Sequence, residues 1–140
     1  MKLPHPAALI AACCLMLPLT PAHAGPAGEA LARCADAALT KPDRNLLARW
    51  MFVSMSAYPD AQKLAPGAGA QADALNKGVA TLFKRLVGQA CSAKTAQAVQ
   101  AEGPGAVEDT LKLLAQAGVR EMLNDPAVSK RMQGLQKYMD

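Results

Sequence analysis

The side chains of this chain that are best suited to catalysis or metal binding are two histidines and four cysteines. Both histidines and the first two cysteines precede Gly25, so a chain that begins there keeps only Cys34 and Cys91. Histidine is the usual general base near neutral pH and the commonest metal ligand. Whether the segment before Gly25 is retained therefore decides which chemistry is open to the protein.

Residues 1–24 have the three parts of a cleavable secretory signal. Lys2 supplies the positive charge, residues 7–17 form an apolar run, and the small residues of Ala22-His23-Ala24 form a cleavage site. The apolar run has about 11 to 13 residues, whereas a membrane-spanning helix needs roughly 20. The sequence predicts cleavage after Ala24 and export to the periplasm, which leaves residues 25–140 as a single helical domain.

A lipoprotein signal is the minor alternative. Residues 10–13 read Ile-Ala-Ala-Cys, which resembles a lipoprotein cleavage box and would leave a lipid anchor on Cys13. The apolar run before Cys13 would then be very short, so plain export is favoured. The intact mass of the exported protein distinguishes the two forms.

Without histidine, the predicted mature chain has no Ser-His-Asp or Cys-His catalytic arrangement and no histidine-ligated metal site. No calcium-binding loop or phosphate-binding glycine loop occurs either. Met51 and Met55, one helical turn apart, could bind Cu(I), but the same spacing is typical of a helix packed in a core. We therefore expect no cofactor, no metal and no enzymatic activity. An enzyme that uses only Arg, Lys and carboxylates, as exported helical chorismate mutases do, would need inward-pointing cations, whereas the predicted inward faces are apolar.

Cys34 and Cys91 are expected to form a disulfide, because the predicted compartment is oxidising. They lack the CxxC spacing of thiol oxidoreductases, which indicates a structural role. A closed loop of about 58 residues would stabilise the fold by roughly 4 kcal/mol in the chain-entropy treatment.

The positive charge is modest and spread along the chain. The net charge of +4, from 15 Lys and Arg against 11 Asp and Glu, falls to about +3 when Lys2 is lost. There is no basic stripe of the kind that nucleic-acid-binding domains carry, so no nucleic-acid partner is expected. One interaction face for an anionic partner is predicted if the second and third helices are adjacent, and it consists of Arg44, Arg49, Lys84 and Arg85.

Abundant alanine and apolar residues at helical spacing predict an all-α fold, a compact single-domain bundle of five or six helices with one disulfide. Thr40 is the expected N-cap of the second helix and Asp125 that of the last, each with a proline close behind. The helices are expected at residues 29–39, 40–58, 71–91, 92–101, 106–123 and from 126 onward, with a short helical turn at 60–64. The second helix should bury a stripe formed by Leu47, Trp50, Met51, Ser54, Met55 and Tyr58.

The chain contains four short motifs: DRxxLARWxF at residues 43–52, Tyr58-Pro59, LFxRL at residues 82–86 before Cys91, and NDPxV at residues 124–128. As a set they resemble an uncharacterised family of small exported helical proteins of Gram-negative bacteria. Relatives carry His where this chain has Tyr58, so no role of that histidine is transferred. The resemblance implies export and a helical domain and does not imply a mechanism.

Two classes of function remain. The first is a non-enzymatic periplasmic module that binds another envelope protein, as an accessory subunit or as an inhibitor of a toxin or lytic enzyme. Small exported helical immunity proteins that block cell-wall amidases are similar in size, disulfide and helix content. The alternative is a carrier of a small apolar ligand such as a lipid, because helices lined by Leu, Met and Phe can enclose a cavity.

Overall fold

The computed structural model describes residues 25–139, which contain helices and turns and no β-strand. The predicted signal peptide and the alternative lipidation at Cys13 lie outside the described residues. The α-helices in chain order are α1 (Pro26–Ala37), α2 (Lys41–Met55), α3 (Pro59–Leu64), α4 (Ala72–Arg85), α5 (Ser92–Glu102), α6 (Gly105–Leu123) and α7 (Pro126–Gln133). Shorter turns are the 3₁₀ segments Ala68–Gln71 and Gln136–Tyr138 and a π-turn over Leu86–Ala90.

The all-α class is confirmed, but this part of the chain has seven α-helices where five or six were predicted. The segment predicted as a short turn after Pro59 is a complete helix, α3. Pro59 occupies its first position, where the missing N–H costs nothing and the fixed φ already suits a helix. The preceding Tyr58 is extended, as the residue before a proline prefers.

The predicted helix starts at Thr40 and Asp125 are both confirmed. The Asp43 backbone N–H donates to the Thr40 hydroxyl, and the Thr40 backbone N–H donates to the Asp43 carboxylate at 2.8 Å, forming a capping box. The Asp125 carboxylate accepts hydrogen bonds from the backbone N–H groups of Ala127 and Val128. Both helix starts depend on residues that are close together in the chain, so the sequence pattern predicts them directly.

The core consists of two neighbouring clusters. The larger one joins α1, α2, α4 and α6, and α2 packs so closely on α6 that a Cβ atom on Gly118 would lie 2.6 Å from the backbone of Leu47. Its members are Ala35, Leu39, Leu47, Val79, Leu82, Leu86, Leu114 and Ala117. The smaller cluster surrounds the end of the disulfide and consists of Leu31, Cys91, Ala98 and Ala106.

Two of the long-range connections that hold α1 against the rest of the bundle lie near its middle and its start. The first is the predicted disulfide, in which Cys34 of α1 is bonded to Cys91, directly after the π-turn. The second is Glu102 at the end of α5, whose carboxylate accepts hydrogen bonds from the backbone N–H groups of Ala27 at 2.8 Å and Gly28 at 3.0 Å. A carboxylate at this position satisfies unpaired N–H groups at a helix start and interacts favourably with the helix dipole.

The third predicted helix does not run unbroken to Cys91. α4 ends at Arg85, and the next five residues form a π-turn closed by a hydrogen bond from Cys91 N–H to the Leu86 carbonyl. Ser92 does not cap α5, because Cys91 holds the N-cap position. The Thr95 hydroxyl donates to the Val87 carbonyl at 2.7 Å, so a side chain of α5 provides a hydrogen bond for a carbonyl group of the π-turn.

The predicted buried stripe of α2 is correct only in its first half. Leu47 is fully buried and Trp50 and Met51 are half-buried, but the stripe residues beyond Met51 are exposed. The helix ends at Met55 instead of Tyr58. This exposed end of α2 borders the cleft described below. Among residues 25–139, no helix is both long and apolar enough to cross a membrane.

Candidate binding surfaces

One concave feature of the described chain is a cleft of about 540 Å³, named here the Trp50 cleft. It is bounded by the C-terminal half of α2, by α3, by the segment between α3 and α4, and by the start of α4. Its walls are formed by Trp50, Val53, Ser54, Ser56, Ala57, Gln62, Ala65, Pro66, Gly67, Gly69, Ala70, Ala72 and Asn76. The volume lies in the range of about 300–1,000 Å³ typical of ligand sites.

A hydrogen bond between helices fixes the indole of Trp50. Its Nε1–H donates to the side-chain oxygen of Asn76 on α4 at 2.9 Å. Trp50 is half-buried, so one part of the ring system packs against the core while another part lines the cleft. The ring is therefore held in a defined orientation at the cleft wall.

The cleft carries no ionisable side chain. Its side-chain polar groups are two hydroxyls and two amides, from Ser54, Ser56, Gln62 and Asn76. The Ser56 hydroxyl is used internally, since it donates to the Val53 carbonyl at 2.7 Å. Gly67 adopts a φ of +85°, which explains why glycine stands at this turn in the cleft wall.

A second concave feature lies at the other end of the chain and is named here the C-terminal apolar surface. It is a depression of about 420 Å³ lined by Leu123, Ser129, Met132, Gln133, Leu135, Gln136 and Met139. Met132 is 59%, Leu135 64% and Met139 72% exposed. The last helix was predicted to carry these residues, but it ends at Gln133, and they surround an open depression.

The C-terminal apolar surface is flanked by positive charge. Lys130, Arg131 and Lys137 are exposed, and none of them forms an ion pair with a carboxylate of residues 25–139. Lys137 places its ammonium 4.8 Å from the centre of the Tyr138 ring. Asp125, five residues before Lys130, has its carboxylate engaged in capping α7. The segment is apolar at its centre and basic at its edge.

The four basic residues predicted as an interaction face have different surroundings. Arg44 donates to the backbone carbonyl of Asp36 at 3.0 Å, and Arg85 donates to the Asp43 carboxylate at 2.7 Å. Both cations are therefore engaged within the protein, each with a different aspartate.

The other two members of that predicted face are less constrained. Arg49 lies five residues beyond Arg44 on α2, roughly 140° around the helix axis at 3.6 residues per turn, and donates to the Gln71 side chain at 3.2 Å. Lys84 is exposed. A role for the four residues as one anion site stays a prediction.

The pKa of the Asp43 carboxyl is lowered by its surroundings. Partial burial alone would raise the pKa of the Asp43 carboxyl. Hydrogen bonds from the Thr40 side chain and backbone and from Arg85, together with the Arg85 charge, outweigh the burial and hold the pKa below its ordinary value of 3.8. Asp43 is thus a structural carboxylate that ties the start of α2 to the end of α4.

No protein-family model, curated protein or solved structure matches the chain. The resemblance to small exported proteins therefore stays a prediction, and the function is argued from the geometry. The sequence pattern did not single out Asn76 or Gln62, because a polar residue on an exposed helix face is ordinary until its neighbours are known. The exposure of the last helix was not predicted either, because it depends on which distant elements cover that helix.

Proposed function

We propose that the protein is a non-catalytic module of the periplasm that binds another protein of the cell envelope through the C-terminal apolar surface. The observation that supports this proposal is the exposure of Met132, Leu135 and Met139 around one depression. Exposed apolar patches of this kind mark interaction sites in soluble domains. The cysteine pair, the predicted leader and the lack of a histidine in residues 25–140 agree with an exported binding module.

The shape of the surface favours a protein partner over a lipid bilayer. Membrane-surface helices bury a protruding apolar face among the lipid chains. Here the apolar side chains line a depression, which accepts a side chain that protrudes from a partner. Methionine suits such a contact because its flexible, polarisable side chain adapts to the shape of the group it meets.

The charge around the depression specifies the partner further. Lys130, Arg131 and Lys137 would favour an apolar contact surrounded by acidic residues. Complementary charge at the edge of an interface mainly raises the association rate and the salt sensitivity, whereas the apolar contact at the centre provides most of the affinity.

Site-specific photo-crosslinking in the native host tests the proposal. A photoreactive residue at Gln136, which lines the depression, should give one dominant protein adduct, and the same residue at Lys94 on α5 is the control. The adduct should be lost in Met132→Asp/Leu135→Asp, which places charge in the depression. Both positions are exposed, so far-UV circular dichroism of this variant should match that of the parent.

The purified partner then completes the test. Its Kd for the Met132→Asp/Leu135→Asp protein should rise at least about tenfold, and Lys130→Glu/Arg131→Glu should slow association most at low salt. Adducts that form equally from Lys94, a crosslink to a second copy of this chain, or binding to anionic vesicles in place of a protein would each contradict the proposal.

A carrier of a small ligand is the second candidate function, and the size of the Trp50 cleft favours it. A carrier of an apolar ligand such as a lipid should show a raised melting temperature or a native-mass adduct with fatty acids, which the sugar site argued for below should not show. Adducts that persist when the cleft is blocked would contradict this use of the cleft.

A further inference from the structure

We propose that the Trp50 cleft is a binding site for an uncharged sugar ring. The site is separate from the C-terminal apolar surface, and the proposal does not depend on the function assigned to that surface. Three properties of the cleft support it: its lack of charge, its fixed aromatic side chain, and its set of amide and hydroxyl groups.

The lack of charge excludes most ionic ligands. Charged residues make up 19% of the chain, so a set the size of the cleft lining would contain about two on average, but it contains none. A phosphate, carboxylate or ammonium ligand would lose water in the cleft without gaining a partner of opposite charge, which is unfavourable. The cleft is therefore suited to a neutral ligand.

Trp50 provides the kind of surface on which a sugar ring packs. The C–H groups on one face of a sugar carry a small positive charge and are attracted to the negative face of an aromatic ring. Because Asn76 already holds the indole through its N–H, little side-chain freedom is lost when a ligand binds. The same hydrogen bond occupies the only polar group of the indole, so the part that lines the cleft offers ring surface alone.

The polar groups distinguish a sugar from a purely apolar ligand. The Gln62 amide donates to the Ala57 carbonyl at 3.3 Å, and the Asn76 oxygen accepts from Trp50. The Gln62 oxygen, the Asn76 NH₂ group and the Ser54 hydroxyl can still meet a ligand in the cleft. Sugar hydroxyls also donate and accept, so each group can find a partner. A fatty acid chain would cover these groups without satisfying them, which costs free energy for each.

Trp50 is the only tryptophan of the chain, so its fluorescence reports directly on the cleft. Titration with maltose, cellobiose and N,N′-diacetylchitobiose at millimolar concentrations should change the emission with at least one of them. Glucuronic acid, decanoate and an alanine dipeptide blocked at both ends should leave the emission unchanged. Saturation-transfer NMR should show the strongest transfer to ring protons of the same sugar.

Two variants and a matched control connect this signal to the cleft. Gly69→Phe adds a side chain where the surrounding space is open, and it should raise the Kd of the sugar at least about tenfold. Gly88→Phe makes the same change in open space on the π-turn, away from the cleft, and should leave the Kd unchanged. Asn76→Asp keeps an acceptor for the Trp50 N–H but adds charge and removes the amide donors, so it should also weaken binding.

The proposal is overturned if none of the three sugars changes the fluorescence. It is equally overturned if Gly69→Phe binds as well as Gly88→Phe, since the signal then arises elsewhere. A response to decanoate or to the blocked dipeptide that exceeds the response to every sugar would assign the cleft to an apolar or a peptide ligand instead. Circular dichroism of each variant checks that its fold is intact.

Discussion

Arg85, the last residue of α4, donates a hydrogen bond of 2.7 Å to the carboxylate of Asp43 in the first turn of α2. The same carboxylate accepts a hydrogen bond from the Thr40 backbone N–H at 2.8 Å. It therefore serves as a helix cap and as an ion-pair partner at the same time. With the Trp50–Asn76 hydrogen bond near the opposite end of α4, it fixes the antiparallel alignment of α2 and α4 on which the Trp50 cleft depends.

Replacing this carboxylate should destabilise the fold moderately. We expect Asp43→Asn to lower the free energy of unfolding at pH 7 by about 1 kcal/mol, because the charge-assisted hydrogen bonds are lost while Arg85 keeps access to water. Urea denaturation measures the difference. Asp73→Asn is the control, since its ion pair with Lys77 is almost fully exposed and should contribute less. Equal losses in the two variants would contradict a special role for Asp43.

The same carboxylate should make stability depend on pH. Because the folded-state pKa of Asp43 lies below its ordinary value of 3.8, its stabilising contribution is complete above the unfolded-state pKa and is lost as the pH falls through the folded-state pKa. The gap in stability between wild type and Asp43→Asn should therefore close as the pH falls below about 4. A gap that stays constant from pH 7 to pH 2 would contradict the depressed pKa.

Gly118 should tolerate no side chain. A Cβ atom there would lie 2.6 Å from backbone atoms of Leu47, so Gly118→Ala must push α6 away from α2 and should cost about 1–3 kcal/mol. Gly88→Ala is the matched control, because nothing lies within 4 Å of the added carbon. Thermal unfolding followed by circular dichroism compares the two proteins, and similar melting temperatures would show that the helices are less closely packed than described.

Removing the disulfide should have the largest effect on stability. Cys34→Ala/Cys91→Ala should lower the free energy of unfolding by about 4 kcal/mol, because the unfolded chain regains the freedom of a long closed loop. Reducing the wild-type protein with dithiothreitol gives an independent measurement of the same quantity. If neither treatment shifts the urea midpoint, the disulfide does not constrain the fold.

Glu102 should protect the start of α1. Glu102→Ala leaves the N–H groups of Ala27 and Gly28 without their acceptor, which should cost about 1–2 kcal/mol and speed hydrogen exchange in the first turn of α1. Glu29→Ala serves as the control. Glu29 lies in α1 itself, and its ion-pair partner Arg33 is largely exposed. Exchange that is unchanged in Glu102→Ala would mean that water satisfies these groups equally well.

Features set by neighbouring residues were predictable from the sequence. The Thr40 and Asp125 caps depend on a side chain reaching a backbone group two or three residues away, so the pattern alone identifies them. The disulfide was predictable because the predicted cleavage after Ala24 would leave only one possible pair of cysteines. The helical class followed from the spacing of apolar residues, which sets the faces that helices bury.

Features set by distant residues were not predictable in the same way. The apolar stripe of α2 continues to Met55, but no other helix covers its second half, so Met55 is 47% exposed. The π-turn that follows α4 brings Cys91 to Cys34. The Val87 carbonyl in this turn accepts a hydrogen bond from the Thr95 hydroxyl of the next helix. Periodicity shows which face of a helix is apolar, but it does not show how far a partner helix extends along that face.

Two of the connections that hold α1 come from much later in the chain. Cys91 follows Cys34 by 57 residues, and Glu102 follows Ala27 by 75. Among the described helices, α1 therefore comes first in the chain but is among the last to be fixed, and a chain truncated before Glu102 would present α1 to proteases without its cap.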